Sequence, residues 1–268
     1  MKIFPISDMH TEIWFPKQDY WSKNFSFLKD VDVMIIAGDN GSAAFNLIPI
    51  MQALLEFPDL HIVYVPGNHD YYGANYVHAR DSLVAASYSI DRLHVLSESN
   101  RYGTWEHEGV VFIGATLWTD FNKEHAGIMN EVKRGLNDYR AITMGPDNKT
   151  IKPQFILNEH YTMKKHIFKE LDKYKNSDKT CVVVTHHQPY LPDCIMEPIT
   201  YGYCVDLEDK LNECEKLPKY WISGHTHKSD WKRKQYTHGD VIFLSNQFGY
   251  PSEDASVTGW HKDFILEV

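Results

Sequence analysis

Five short apolar runs recur along the chain, and each stops abruptly at polar residues. "MKIFPIS" ends before Asp8, "VDVMIIAG" before Asp39, "HIVYVPG" before Asn68, "TCVVVT" before His186 and "YWISG" before His225. Continuous apolar runs of this length predict strands buried on both faces. Helical patterns lie between some of them. "SAAFNLIPIMQALLEF" follows the second run. "ILNEHYTMKKHIFKELDKY" spaces Ile156, His160, Met163, Ile167, Leu171 and Tyr174 three and four apart, which makes one amphipathic face. Strand, polar tip and helix in repetition is the α/β pattern. Ligands in such sheets sit beyond the carboxyl ends of the strands, so the five tips are expected to converge at one edge.

The remaining segments are less periodic. "YGTWEHEGVVFIGATLW" predicts a β-hairpin turning at Glu108-Gly109, and "WKRKQYTHGDVIFLSN" a second one through His238-Gly239-Asp240. "HKDFILEV" reads as a closing strand. Residues 119–154 are rich in turn formers and read as an insertion lying over the site. No repeat, low-complexity tract or linker divides the 268 residues, so a single domain over 1–268 is expected.

Composition narrows the function classes. Asp and Glu number 36 against 27 Lys and Arg, a formal charge of -9, which argues against long polyanions such as nucleic acid as partners. No apolar run approaches the length of a membrane span. "MKIFPISDMH" lacks the form of a signal peptide, so a cytoplasmic protein is expected. Cys181, Cys194, Cys204 and Cys214 form no CxxC pair. That argues against a thiolate zinc site and for reduced thiols. The 15 histidines, many beside Asp, Asn or Gly, point instead to a site in which imidazole is the ligand.

The tips in order read "DMH", "GDN", "GNHD", "THH" and "GHTH". Asp8/His10 and His225/His227 are two apart, which near a strand end points both side chains to one side. Gly38, Gly67 and Gly224 let the chain turn sharply just before a ligand. This ordered set, running from Asp8 to His227, resembles the calcineurin-like metallophosphoesterase superfamily, whose pattern is DxH, GD, GNH, H and GHxH. "GATLWTDF" and "NDYRAI" also resemble a subgroup of small bacterial and phage metallophosphoesterases. The resemblance implies a four-layer αββα sandwich of two mixed β-sheets flanked by helices. It implies two divalent metal ions (Mn, Fe, Ni or Zn, with Mn favoured), one on Asp8, His10, Asp39 and His227 and one on Asp39, Asn68, His186 and His225. Asp39 bridges them, its two oxygens serving two cations. The reaction implied is attack of a metal-bridged hydroxide on a phosphoester. Two divalent cations, two carboxylates and a hydroxide leave one net positive charge, enough to attract a phosphate ester.

By the same resemblance His69 contacts the phosphate or protonates the leaving oxygen, and Asp70 orients its imidazole. Of the two adjacent histidines in "VVVTHHQPY", related sequences use the one directly after the last β-branched residue, which selects His186. Asn137, Tyr139 and Arg140 in "LNDYR" are candidates to reach substrate from the insertion, as are Asn68 and His69; a helix-end salt bridge is the other reading of Arg140.

Departures from neighbouring families narrow the substrate. Ser42 stands where purple acid phosphatases carry a tyrosine. "SDMHTE" and "GDNGSAA" lack the second Gly and the Arg of the Ser/Thr protein phosphatase motifs. What remains is a small phosphoester, nucleotide-like, with a lean toward phosphodiesters, nucleotide or cyclic nucleotide. The alternatives are a phosphomonoesterase, a protein phosphatase, or a non-catalytic scaffold on the same fold.

Overall fold

The apolar runs fold as parallel strands, but into two sheets. The computed structural model describes residues 1–98, 103–193 and 196–268; Tyr102 of the first expected hairpin and Cys194 lie outside them. In chain order the strands are β1 (Lys2–Ile6), β2 (Val33–Ala37), β3 (His61–Val65), β4 (Leu93–Val95), β5 (Thr104–His107), β6 (Val110–Ala115), β7 (Thr143–Met144), β8 (Lys149–Thr150), β9 (Thr180–Thr185), β10 (Tyr220–Ile222), β11 (Asp230–Tyr236), β12 (Gly239–Ser245) and β13 (Leu266–Glu267). One sheet runs β13-β1-β2-β3-β4 and the other β11-β12-β10-β9-β6-β5, with β7 and β8 a small hairpin apart. Both large sheets are mixed. The edge pairings β1–β13, β11–β12 and β5–β6 are antiparallel, and the others, including the edge pairing β3–β4, are parallel.

Alternation along each strand divides the core into layers. Ile3, Val33, Ile35 and Val63 of the first sheet meet Phe112, Val182, Val184 and Ile222 of the second. The intervening Phe4, Ile6, Met34, Ile36 and Tyr64 face outward onto Trp21, Ile50 and Leu54. On the far side Val111, Ile113, Val183, Trp221 and Phe243 pack with Ile156, Met163, Ile167 and Leu171. Helix, sheet, sheet, helix is the resulting stack. Burial on both faces explains why these strands read as unbroken apolar runs.

The long helix spans Pro153–Lys173, opened by the proline at its first turn. Ile156, His160, Met163, Ile167 and Leu171 are buried as the spacing predicts, and Tyr174 caps it, partly buried. The earlier helix is shorter than its pattern, Leu47–Glu56. Residues 43–46 form turns, and the Asn40 amide holds the Asn46 carbonyl at 2.5 Å. The first hairpin turns at Glu108-Gly109, both at positive φ, as a two-residue primed turn requires. The second is tighter and begins one residue earlier than expected. Its ladder continues to Tyr236↔Gly239, which leaves Thr237 and His238 as the loop and places Gly239 and Asp240 in the strand. Of "HKDFILEV" only Leu266–Glu267 pairs, antiparallel to β1. Within 119–154 a helix (Ala126–Gly135), a one-turn helix (Asp138–Ala141) and the β7–β8 hairpin share the main core through Ile128, Val132, Tyr139 and Ile142. Among the described residues no helix is long and apolar enough to cross a membrane.

Candidate metal centre and cleft

The carboxyl ends of β1, β2 and β3 meet those of β9 and β10 along one edge of the sandwich. The residues beyond them leave the extended conformation at once. Asp8, His10, Asp39, His225 and His227 all have positive φ, between 45° and 74°. Non-glycine residues rarely adopt that region, and clusters of them mark functional sites. Two glycines make room. Gly38, itself at φ 88°, and Gly67 lie so close to His186 and Asp39 that a Cβ on either would overlap those side chains.

Two groups of side chains result. In the first, potential ligand atoms of Asp8, His10 and His227 lie within 4.8 Å of one another. His10 Nε2 and His227 Nε2 are 3.0 Å apart, and Asp8 Oδ1 is 3.6 Å from the latter. His227 Nδ1 lies 2.6 Å from Glu253 Oε2 and His10 Nδ1 3.4 Å from Glu12 Oε1. A carboxylate only accepts, so each Nδ1 carries its proton, and the two Nε2 lone pairs face each other. In the second group, His186 Nδ1 donates to Ala37 O at 2.9 Å, which turns Nε2 inward. That atom faces Asn68 Oδ1 at 3.0 Å, His225 Nδ1 at 3.1 Å and Asp39 Oδ2 at 3.3 Å. Asn68 turns its oxygen inward because its Nδ2 donates to Asp138 Oδ1 at 2.8 Å and to Tyr72 at 3.2 Å. In each group buried ring nitrogens converge with carboxylate or amide oxygens in one small space, an arrangement that suits a cation. Imidazole, carboxylate and amide oxygen suit a divalent transition metal. The residues present fit two such ions.

One expectation needs correction. Asp39 offers a single oxygen to both groups. Oδ2 is 3.3 Å from His186 Nε2 and 4.0 Å from His10 Nε2, whereas Oδ1 accepts the His69 backbone N–H at 2.8 Å. Burial would raise the Asp39 carboxyl, but the imidazoles of His186 and His69 outweigh it and hold it well below the ordinary carboxylate range. For His186, burial alone would lower the imidazole, and Asp39 raises it to about 9.

A family model described as calcineurin-like phosphoesterase matches residues 1–229. The chain belongs to the calcineurin-like phosphoesterase family. It is a hydrolase of phosphoric esters, in a dimetal-dependent family acting on small phosphoester substrates. An uncharacterized protein of Acanthamoeba polyphaga mimivirus is 27% identical over 205 residues, covering 72% of this chain and 69% of the relative. Phosphopantetheinyl hydrolase from Mycobacterium tuberculosis superposes with a TM-score of 0.65 at 16% identity, over 93% of this chain and 90% of its own. A dimetal phosphatase from Danio rerio gives 0.47 at 14%, over 91% and 86%.

In this phosphoesterase a cleft of about 820 Å³ opens over both groups, touching Asp39, Asn68, His69, His225 and His227. Two sequence expectations fall away from it. Tyr139 is buried in the core, and Arg140 is exposed, held by the Arg134 carbonyl at 3.1 Å and Asn137 Oδ1 at 3.0 Å; among the described residues neither lines the cleft, whereas Asn137 does. Asp70 does not orient His69. Fully buried, it accepts from the backbone N–H of Gly67 (2.7 Å) and Asp39 (2.9 Å) and from the Tyr64 hydroxyl, so it ties the third tip to the second. Burial, then the Asp39 charge, raise its carboxyl to about 7.

The carboxylate on His69 is Glu12, whose Oε1 lies 3.1 Å from His69 Nδ1. Burial works to raise Glu12, and hydrogen bonds from His10 and His69 bring it down to about 2. Asp138 and Glu253 are the other carboxylates that the motifs did not single out. Asp138 sits between Asn137 and Tyr139, and Glu12 two residues after His10, so the right segments were in view. His187, beside His186, turns the other way: Nδ1 is 3.3 Å from Thr116 O, and the ring packs 4.3 Å from His225 and 5.1 Å from Trp118.

Proposed function

We propose that this chain hydrolyses a small phosphodiester at two divalent metal ions. One is held by Asp8, His10, Asp39 and His227, and the other by Asp39, Asn68, His186 and His225. The observation that carries this reading is the convergence of Asn68 Oδ1, His225 Nδ1 and Asp39 Oδ2 on His186 Nε2, at 3.0–3.3 Å. Two cations there would supply activated water and neutralise charge on the phosphoryl oxygens. The chain's own residues do the rest. His69 sits at the cleft with Nδ1 on Glu12 and Nε2 3.5 Å from the Tyr250 hydroxyl, placed to give a proton to the leaving oxygen. Tyr72 stacks on its ring at 4.1 Å and fixes its plane. Net, one water is consumed: its oxygen joins phosphorus, the ester P–O bond breaks, and the leaving oxygen takes a proton.

The cleft supports a diester. It is far larger than a phosphoryl group needs, and beside charged Asp193, Lys228, Asp230, Lys232 and Glu253 it offers polar and aromatic surface from Asn137, Gln188, Tyr190, Thr200 and Tyr203, suited to organic arms on the phosphate. A nucleotide or cyclic nucleotide fits that chemistry. The Mycobacterium tuberculosis neighbour is named a phosphopantetheinyl hydrolase, so a phosphopantetheinyl ester belongs in the same assay. Mn²⁺ is the first metal to test. Purified chain with Mn²⁺ is expected to hydrolyse bis(4-nitrophenyl) phosphate, and Asp39→Asn to abolish this. Inactivity of the wild type with Mn²⁺, Fe²⁺, Ni²⁺, Co²⁺ and Zn²⁺ alike would contradict the reading.

A further inference from the structure

Glu12 faces two imidazoles with one atom. Its Oε1 is 3.1 Å from His69 Nδ1 and 3.4 Å from His10 Nδ1, and the two rings stand edge to face with centroids 4.4 Å apart. Its side chain is 17% exposed, and Oε2 is buried with no hydrogen-bond partner among the described residues. The "TEIW" turn that follows His10 brings the carboxylate back over the first strand tip.

We propose that Glu12 is a positioning residue shared by the metal centre and the leaving-group acid. By accepting Nδ1–H from both histidines, it turns His10 Nε2 toward Asp8, Asp39 and His227 and His69 Nε2 into the cleft. The inference rests on the function proposed above and adds a specific role to it. The distances rank its two effects. At 3.1 Å the bond to His69 is an ordinary charge-assisted one, while 3.4 Å to His10 is at the outer limit. Loss of Glu12 therefore disturbs the acid more than the metal. It also accounts for Asp70 being absent from His69: the supporting carboxylate comes from the first motif, not from the residue next in the chain.

The test compares wild type, Glu12→Ala and Glu12→Gln with Mn²⁺ on two diesters, one leaving as 4-nitrophenolate and one as an alkyl alcohol. A good leaving group needs no proton, so Glu12→Ala is expected to cut kcat for the alkyl ester at least roughly tenfold more than for the aryl ester. Two readouts are independent of turnover. In metal-free protein, ¹⁵N-histidine spectra are expected to show a protonated Nδ1 at His10 and His69 in the wild type and loss of that preference in Glu12→Ala. Calorimetric Mn²⁺ titration is expected to weaken no more than about tenfold. Glu12→Gln keeps an acceptor oxygen and is expected to fall between; it also serves if the alanine variant fails to fold. Equal kinetic losses on both esters, with unchanged tautomers, would overturn the inference and leave the phosphohydrolase reading standing. If the wild type itself turns over neither ester, that reading fails, and the tautomer and metal titrations still decide the role of Glu12.

Discussion

Asn68 presents an oxygen to the metal centre because its nitrogen is held elsewhere. Asp138, buried and raised by that burial, accepts from Asn68 Nδ2 at 2.8 Å and from the Tyr72 hydroxyl at 2.6 Å. Removing its carboxylate takes the shorter of two acceptors from the buried Asn68 amide and the acceptor of the part-buried Tyr72 hydroxyl. It also frees the Asn68 amide to rotate. Asp138→Ala is expected to bind the second metal roughly 10–100-fold more weakly, read by Mn²⁺ titration; undiminished affinity would remove Asp138 from the account. The histidine pair gives a sharper contrast. His186→Ala is expected to lose the second metal and His187→Ala to keep it, since only His186 Nε2 faces Asn68, Asp39 and His225. Reversal of that order in metal analysis would move the site by one residue. The surrounding carboxylates also revise the charge count made on ligands alone. Glu12, Glu253 and Asp138 lie directly behind ligands or His69, and they offset the single surplus positive charge.

At the scale of elements, the β5 hairpin strand closes against the edge of the first sheet through rings. His94 of β4 stacks on Trp105 of β5 at 3.8 Å, and His61 of β3 lies 3.1 Å from His94 by its Nδ1 and 5.0 Å from the His107 ring. Burial, then the neighbouring His61 and His107, lower His94 from 6.5 to about 3, and burial, His107 and Arg92 lower His61. A lowered histidine binds fewer protons folded than unfolded. Its stabilising share is full above pH 6.5 and is lost as the pH falls toward about 3. His94→Phe keeps a ring on Trp105 and removes that titration. The stability gap between wild type and variant, measured by urea unfolding at pH 7 and pH 4.5, is expected to shift toward the variant on acidification; an unchanged gap would contradict it.

The elements also show what the sequence could carry. Five strand tips and the long helix were legible because burial on both faces and the 3.6-residue period are local signals. The division into two sheets was not readable from the runs themselves. β9 pairs with β6 and β10 from distant segments, and β1 with β13 across nearly the whole chain, and only the family resemblance supplied two sheets. The same distinction separates the side chains. Asp8, His10, Asp39, Asn68, His186, His225 and His227 stand in short motifs. Their supports lie 57 residues away for His69–Glu12, 70 for Asn68–Asp138 and 26 for His227–Glu253, so only folding reveals them.

For the whole molecule, the metal centre is a seam. Asp8, His10, Asp39 and Asn68 follow strands of one sheet, and His186, His225 and His227 follow strands of the other. Metal bound there would tie the two halves together and favour the folded chain. At a hundredfold excess over Kd each ion is expected to add about 2.7 kcal/mol. Thermal unfolding is expected to shift upward with Mn²⁺ and downward with a chelator, in one transition common to both sheets. Two separate transitions, or a Tm indifferent to metal, would contradict the seam.

Seven side chains from five strand tips are proposed to hold two metals with Asp39 between them. Metal content after reconstitution with Mn²⁺ and gel filtration tests this directly. Two ions per chain are predicted for the wild type. Well under one per chain would contradict a dimetal centre and leave the fold as a scaffold.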